Sequence, residues 1–190
     1  MNNLLPTLKQ FDKLYYTLSD LVKITSLSRA SLYVILGRLV RRKELIRMTP
    51  GVYILPEKYA QIDLVANSLY DPSYLSFESA LARYGLLSQV PYTLTFATTR
   101  KTFKVKSAEL AIEYRRIQPA LFFGYVKANS LFVATPEKAF LDTVYFASFG
   151  KAAVPLEDLD VRKLHPPLLA RIAKRFPRRT RQLLDRITRR

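Results

Sequence analysis

Apolar residues fall at helical spacing three times before the middle of the first hundred residues. Leu4, Leu5, Leu8, Phe11 and Leu14 predict a supporting helix. Leu21, with Val22 or Ile24, marks a short helix over about Asp20 to Thr25, with Ser19 placed as its N-cap. Ser26-Leu27-Ser28 then reads as a tight polar turn with one inward apolar residue. Ser28 caps a further helix predicted from Arg29 to Lys43. In it Leu32, Leu36 and Leu39 recur at i, i+4 and i+7, with Ile35 and Val40 on the flanks, which is the pattern of a buried stripe. The opposite face centres on Ala30, Val34, Gly37 and Arg41, with Tyr33 and Arg38 at its edges. Glycine costs about 1 kcal/mol against alanine inside a helix, so Gly37 implies a close approach or a need for slack.

Two short apolar runs follow, Glu44 to Met48 and Val52 to Leu55, separated by Thr49-Pro50-Gly51. Proline presets φ and glycine supplies a positive φ, so the segment is a hairpin turn. A helix-turn-helix followed at once by a hairpin is a winged helix, a DNA-binding architecture whose second helix enters the major groove. Residues Ser28, Arg29, Ser31, Tyr33, Arg38, Arg41 and Arg42 are the expected groove and phosphate contacts of that helix, with Arg47 and Thr49 on the wing. Pro56-Glu57-Lys58 ends the hairpin, giving an N-terminal domain over residues 1–57.

Residues 58–190 are expected to form a second, α+β domain. A helix over Tyr59 to Tyr70 is stopped by Asp71-Pro72, and a second runs from Ser76 to Tyr84 with Gly85 as its C-terminal cap. The period then changes. Tyr92 to Thr98, Thr102 to Lys106, Ala111 to Ile117, Leu121 to Val126 and Leu131 to Ala134 read as strands of an antiparallel sheet. Thr135-Pro136 opens a helix that runs to Phe149. In the tail, Leu168, Leu169, Ile172 and Phe176, then Leu183, Leu184 and Ile187, predict two amphipathic basic helices broken at Pro177.

Charge sharpens this picture. The chain of 190 residues carries a formal net charge of +16. Residues 1–60 hold ten Lys/Arg against four Asp/Glu, residues 61–160 ten against ten, and residues 161–190 eleven against one. A neutral middle between basic ends points to particular polyanion-binding surfaces, because each phosphate neutralised releases counterions. The apolar stretch from Ala139 to Gly150 is too short to span a bilayer and contains Asp142. No membrane is expected, and without a secretory signal pattern the cytoplasm is the expected compartment.

Catalytic chemistry has little to stand on. Cysteine is absent, and His165, the single histidine, precedes two prolines. No nucleophile elbow, P-loop or zinc-protease motif occurs. Glu78, Glu137 and Asp142 are accounted for as capping and helix-dipole charges. The expectation is a protein without catalytic activity, metal or cofactor. A nuclease built from dispersed carboxylates is the enzymatic rival, for metal-dependent cleavage to reveal.

The stretches Tyr74-Leu-Ser-Phe-Glu-Ser-Ala-Leu-Ala-Arg-Tyr-Gly-Leu86, Tyr92 to Thr98 and Ala134-Thr-Pro-Glu-Lys-Ala-Phe-Leu-Asp142 resemble the AbiEi family of type IV antitoxins. The resemblance covers nearly the whole chain. It implies an N-terminal winged helix that represses its own operon by binding inverted repeats of double-stranded DNA in the promoter. It also implies a C-terminal domain that counteracts a nucleotidyltransferase-type toxin, with no stable complex required. Two molecules on half-sites would sit about 10 bp or a multiple apart. No dimerisation seam is legible, so pairing would be DNA-assisted. Two rivals remain open: a winged-helix regulator with no toxin partner, and an RNA-binding module that uses the basic tail.

Overall fold

The computed structural model describes residues 4–106, 111–152 and 158–189. Helices and two sheets alternate along the chain, which divides into two compact units, Met1–Val65 and Ala66–Arg190. The division falls within a helix, later than the expected limit at residue 57.

In the first unit α1 (Leu4–Phe11), α2 (Leu18–Thr25) and α3 (Arg29–Arg41) precede a hairpin of β2 (Ile46–Thr49) and β3 (Val52–Ile54). A two-residue strand, β1 (Tyr16–Thr17), adds to β3, so the sheet order is β1-β3-β2, all antiparallel. Leu4 and Leu8 of α1, Leu21 of α2, and Leu32, Leu36 and Leu39 of α3 meet Leu45, Tyr53 and Leu55 in one core. Each such leucine contributes about 1.5–3 kcal/mol when fully buried. Phe11 departs from expectation: it ends α1 and stays exposed, and Asp12 follows it with a left-handed φ of 45°.

The cap of α2 is also two residues earlier than predicted. Thr17, not Ser19, accepts from the Asp20 amide, and the Asp20 carboxylate accepts from the Thr17 amide in return. Thr17 is already held extended by β1, which supplies the backbone geometry that an N-cap needs. α3 ends at Arg41, short of the predicted Lys43. Lys43 takes a left-handed φ of 58°, and the Lys43 and Glu44 amides reach back to the Val40 and Leu39 carbonyls in a Schellman closure.

The second unit takes in the second half of α4 (Ile62–Leu69), which follows a 3₁₀ segment over Pro56–Gln61, so the single predicted helix is two pieces. β4 (Ser73–Leu75), α5 (Phe77–Arg83), β5 (Thr93–Thr98), β6 (Phe103–Lys106) and β7 (Ala111–Arg116) come next. β8 (Tyr125–Ala128), β9 (Leu131–Ala134), α6 (Pro136–Ser148), α7 (Pro166–Ala173) and α8 (Arg178–Thr188) complete it. Gly85, at φ 65°, closes α5 as predicted, with the Leu86 amide bonded to the Leu81 carbonyl.

The second sheet has six strands in the order β6-β7-β5-β4-β9-β8 and is mixed, which corrects the antiparallel expectation. β7 slots between β6 and β5, so it runs antiparallel to the first and parallel to the second. β9 likewise lies between β8 and β4, parallel to β4. The predicted strand Leu121 to Val126 is mostly not a strand. Pro119–Leu121 forms a 3₁₀ turn, and Phe122 packs against Tyr74 and Tyr125 instead. α7 and α8 are the two predicted tail helices, and both pack on α6. Among the described residues no helix is long and apolar enough to cross a membrane.

Candidate nucleic-acid interface

α3 is oriented by three buried leucines and by Ser28, whose Oγ accepts from the Ser31 amide. With Leu32, Leu36 and Leu39 turned into the core, the other face stands in solvent. Tyr33 is 53% and Val34 55% exposed, and Ala30 and Gly37 are exposed beside them. A Cβ added at Gly37 would meet nothing within 4 Å, so no packing inside the protein requires glycine there. One helical stripe therefore carries Ala30, Val34, Gly37 and Arg41, with Arg29 and Tyr33 on one flank and Ser31 and Arg38 on the other.

The arginines differ in their local ties. Arg41 donates from Nε to the Gly37 carbonyl at 3.3 Å, which lays its side chain along the helix and leaves its terminal nitrogens at the surface. Arg29 and Arg38 are exposed, as is Arg42, the C-cap residue. Arg47 is exposed on β2, opposite Tyr53 on β3. Burial raises the Tyr53 phenol above its ordinary pKa, Arg47 opposes that shift and Tyr33 adds to it.

The serines and Thr49 have partners within the unit. The Ser28 and Ser31 hydroxyl oxygens lie 3.0 Å apart and bond to each other, and the Ser28 oxygen is already committed to capping. Thr49 is half-buried at a register shift between β2 and β3 and pairs with Val52 across the Pro50-Gly51 turn. The turn is pinned from behind, because the Leu18 amide donates to the Gly51 carbonyl at 2.7 Å. Eight of the nine predicted contact residues are exposed; Thr49 is the one that is not.

Glu78, Glu137 and Asp142 of the second unit are engaged internally, not merely set against helix dipoles. Glu78 takes a two-pronged bond from Arg115, at 2.8 and 3.0 Å. The Glu137 carboxylate accepts from the His165 amide. Asp142 is fully buried, paired with Lys138 four residues earlier, and accepts from Ser76 Oγ at 2.8 Å and Tyr74 Oη at 3.0 Å. Lys138 Nζ also donates to Tyr74 Oη at 2.7 Å and lies over the rings of Tyr74, Phe123 and Phe176. Burial pushes the Lys138 ammonium below its ordinary pKa, with Asp142 opposing, and burial drives the Tyr74 phenol well above its own. The i, i+4 spacing of Lys138 and Asp142 inside an apolar run was the available signal for this pair. His165 caps α7 through Nδ1, which accepts from the Leu168 amide. Among the described residues no group of three or more His, Asp or Glu is gathered to hold a metal ion.

No family model and no curated protein matches this chain. Among solved structures, it is similar to the RV2827C protein from Mycobacterium tuberculosis, with a TM-score of 0.63 and 15% identity. The likeness covers 96% of this chain and 75% of that one, and at this identity it is a likeness of fold.

Proposed function

We propose that this protein is a sequence-specific DNA-binding repressor with an N-terminal winged helix, and that it serves as the antitoxin of a type IV, AbiEi-like toxin–antitoxin operon. The observation that carries the DNA-binding reading is α3. Small residues form the centre of its exposed face, arginines stand at its margins, and no acidic residue occurs anywhere in it. A phosphate-lined groove suits that arrangement, since the helix centre can sink in while guanidinium groups reach the backbone. β2 and β3 follow as the wing, with Arg47 outward.

The antitoxin half rests on the resemblance of the segments 74–86 and 134–142. Their polar residues Ser76, Glu78 and Asp142 have tertiary partners inside the second unit, so they support its fold; the surface that would act against a toxin is not among them.

Binding of duplex promoter DNA across a salt series tests the first half. Arg38→Ala with Arg41→Ala should weaken binding by tenfold or more and flatten the log–log salt slope by about 2, since each phosphate contact adds about 0.9. An unchanged slope would remove α3 from the interface. Growth of cells expressing the neighbouring gene, with and without this protein, tests the second half: toxicity that this protein relieves supports the antitoxin, and its absence leaves a regulator. A second reading, RNA binding through α7 and α8, draws on the exposed Arg171, Lys174, Arg178, Arg181 and Arg186. RNA that outcompetes duplex DNA, with binding lost on removing residues 161–190, would favour it.

A further inference from the structure

The outward face of α3 is defined as much by what it lacks as by what it shows. Adenine is read in the major groove through a carboxamide that spans N6 and N7, and cytosine through a carboxylate that accepts from N4. Between Arg29 and Arg41 there is no Asn, Gln, Asp or Glu. The hydroxyls of Ser28 and Ser31 are turned to the cap and to each other. Along the centre of the stripe at the N-terminal half of the helix, the part that meets base edges in this docking geometry, what stands free between Arg29 and Tyr33 on one flank and Ser31 on the other is methyl surface. Val34 is more than half exposed, Ala30 is exposed one turn before it, and Gly37 leaves open space one turn after. β-branching lowers the helix propensity of valine, and burial inside the unit does not hold Val34 at this position.

We infer that Val34 and Ala30 form a methyl-reading strip that recognises the C5-methyl groups of thymines in the operator half-site. This rests on the DNA-binding reading above and adds to it the class of base that the helix selects. Thymine is the one standard base that presents a methyl group in the major groove, and apolar contact is how side chains read it. Basic residues on both flanks supply the charge complementarity that brings the strip to a duplex and not to an apolar protein surface: Arg29 on one side, Arg38 on the other, Arg41 at the far end.

The test uses the full chain and a random 20-bp duplex library. Repeated selection should enrich a motif containing thymines at fixed positions. Replacing those thymines singly by deoxyuridine removes only the methyl group. At one or more positions affinity should fall about fourfold, the value of one buried methylene-sized group. In Val34→Ala the same replacement should cost less than twofold at one or more of those positions, because both Cγ methyl groups of Val34 are gone while Ala30 remains. Val34 faces solvent, so an unchanged melting temperature in the variant verifies that folding is not the cause. A motif whose thymines all tolerate deoxyuridine, or an equal penalty in both proteins, overturns the methyl strip and leaves DNA binding standing. Failure to enrich any motif overturns sequence-specific DNA binding and the strip with it.

Discussion

α3 and α6 are both thirteen residues long and both start from a hydroxyl N-cap, Ser28 in one and Thr135 in the other. They then diverge completely. α3 buries three of its residues and α6 buries eleven, among them Glu137, Lys138 and Asp142. A charge in α3 therefore keeps its hydration until a partner arrives, whereas a charge in α6 has already lost its water and must be satisfied within the unit. A surface ion pair is worth little and a buried one is costly to break. So the arginines of α3 stay hydrated at the surface, and Lys138 and Asp142 are committed to the fold.

Breaking α6 should give the largest effect. Asp142→Ala strands the Lys138 ammonium, Tyr74 Oη and Ser76 Oγ in a dry interior, and should destabilise the second unit by about 3–5 kcal/mol in urea unfolding. Restoring an apolar pair with Lys138→Met and Asp142→Leu should recover the part of that loss that comes from the unpaired ammonium, while Tyr74 Oη and Ser76 Oγ stay without the partners they had. No recovery would assign the pair a role beyond balancing charge.

Gly37→Ala sharpens the contrast from the other side. Its new Cβ meets nothing within 4 Å, so helix propensity alone should stabilise the first unit by about 1 kcal/mol. Under the DNA-binding proposal the same substitution weakens binding, because the methyl stands where the helix approaches the groove. A gain in melting temperature with unchanged affinity would take Gly37 out of the interface.

The two caps should behave alike despite their different helices. Ser28→Ala and Thr135→Ala each remove the acceptor of one orphan amide, and each should cost about 1 kcal/mol. A much larger loss at Thr135 would mean that the cap of α6 also positions Lys138, whose amide it holds.

The smallest effect is a pH dependence in the first unit. Burial works against the Asp20 carboxylate, but the Lys13 ammonium, the Thr17 amide and the Thr17 hydroxyl outweigh it and hold its pKa at about 2. A depressed folded pKa means the stabilisation is present above the ordinary carboxylate value of 3.8 and is lost as pH falls from there toward about 2. Asp20→Asn should flatten the acid limb of stability over that window. An identical acid limb in the variant would place the relevant proton elsewhere.

Local patterns were read well where one short segment contains all the partners. The Leu32, Leu36 and Leu39 stripe, the Ser28 cap, the Pro50-Gly51 turn and the Gly85 closure each involve residues within a few positions of one another. Ser19 is not the cap because the deciding factor is remote: β3 pairs with β1 and holds Thr17 extended. β4 escaped notice for a related reason. It is three residues long and buried throughout, so it shows no alternation, and it owes its place to β5 on one side and β9 on the other. Leu121 to Phe123 misled in the opposite direction, an apolar run whose rings pack on other aromatics instead of pairing as a strand.

By itself the sequence determined the basic, acid-free outer face of α3, the neutral middle of the chain, the helices and most strands, because periodicity, capping and turn chemistry act over a few residues. Only the tertiary structure decided the mixed strand order of the second sheet and the burial of Lys138 with Asp142 beneath Tyr74 and Ser76. Tyr74 and Ser76 lie more than sixty positions from Asp142, and no local pattern records a pairing made by chain folding over that distance. The place of Val34 on the outer face, by contrast, is set by the leucine stripe and was legible in the sequence. A valine in a helix is ordinarily core, and it is the three leucines claiming the inner face that turn this one outward.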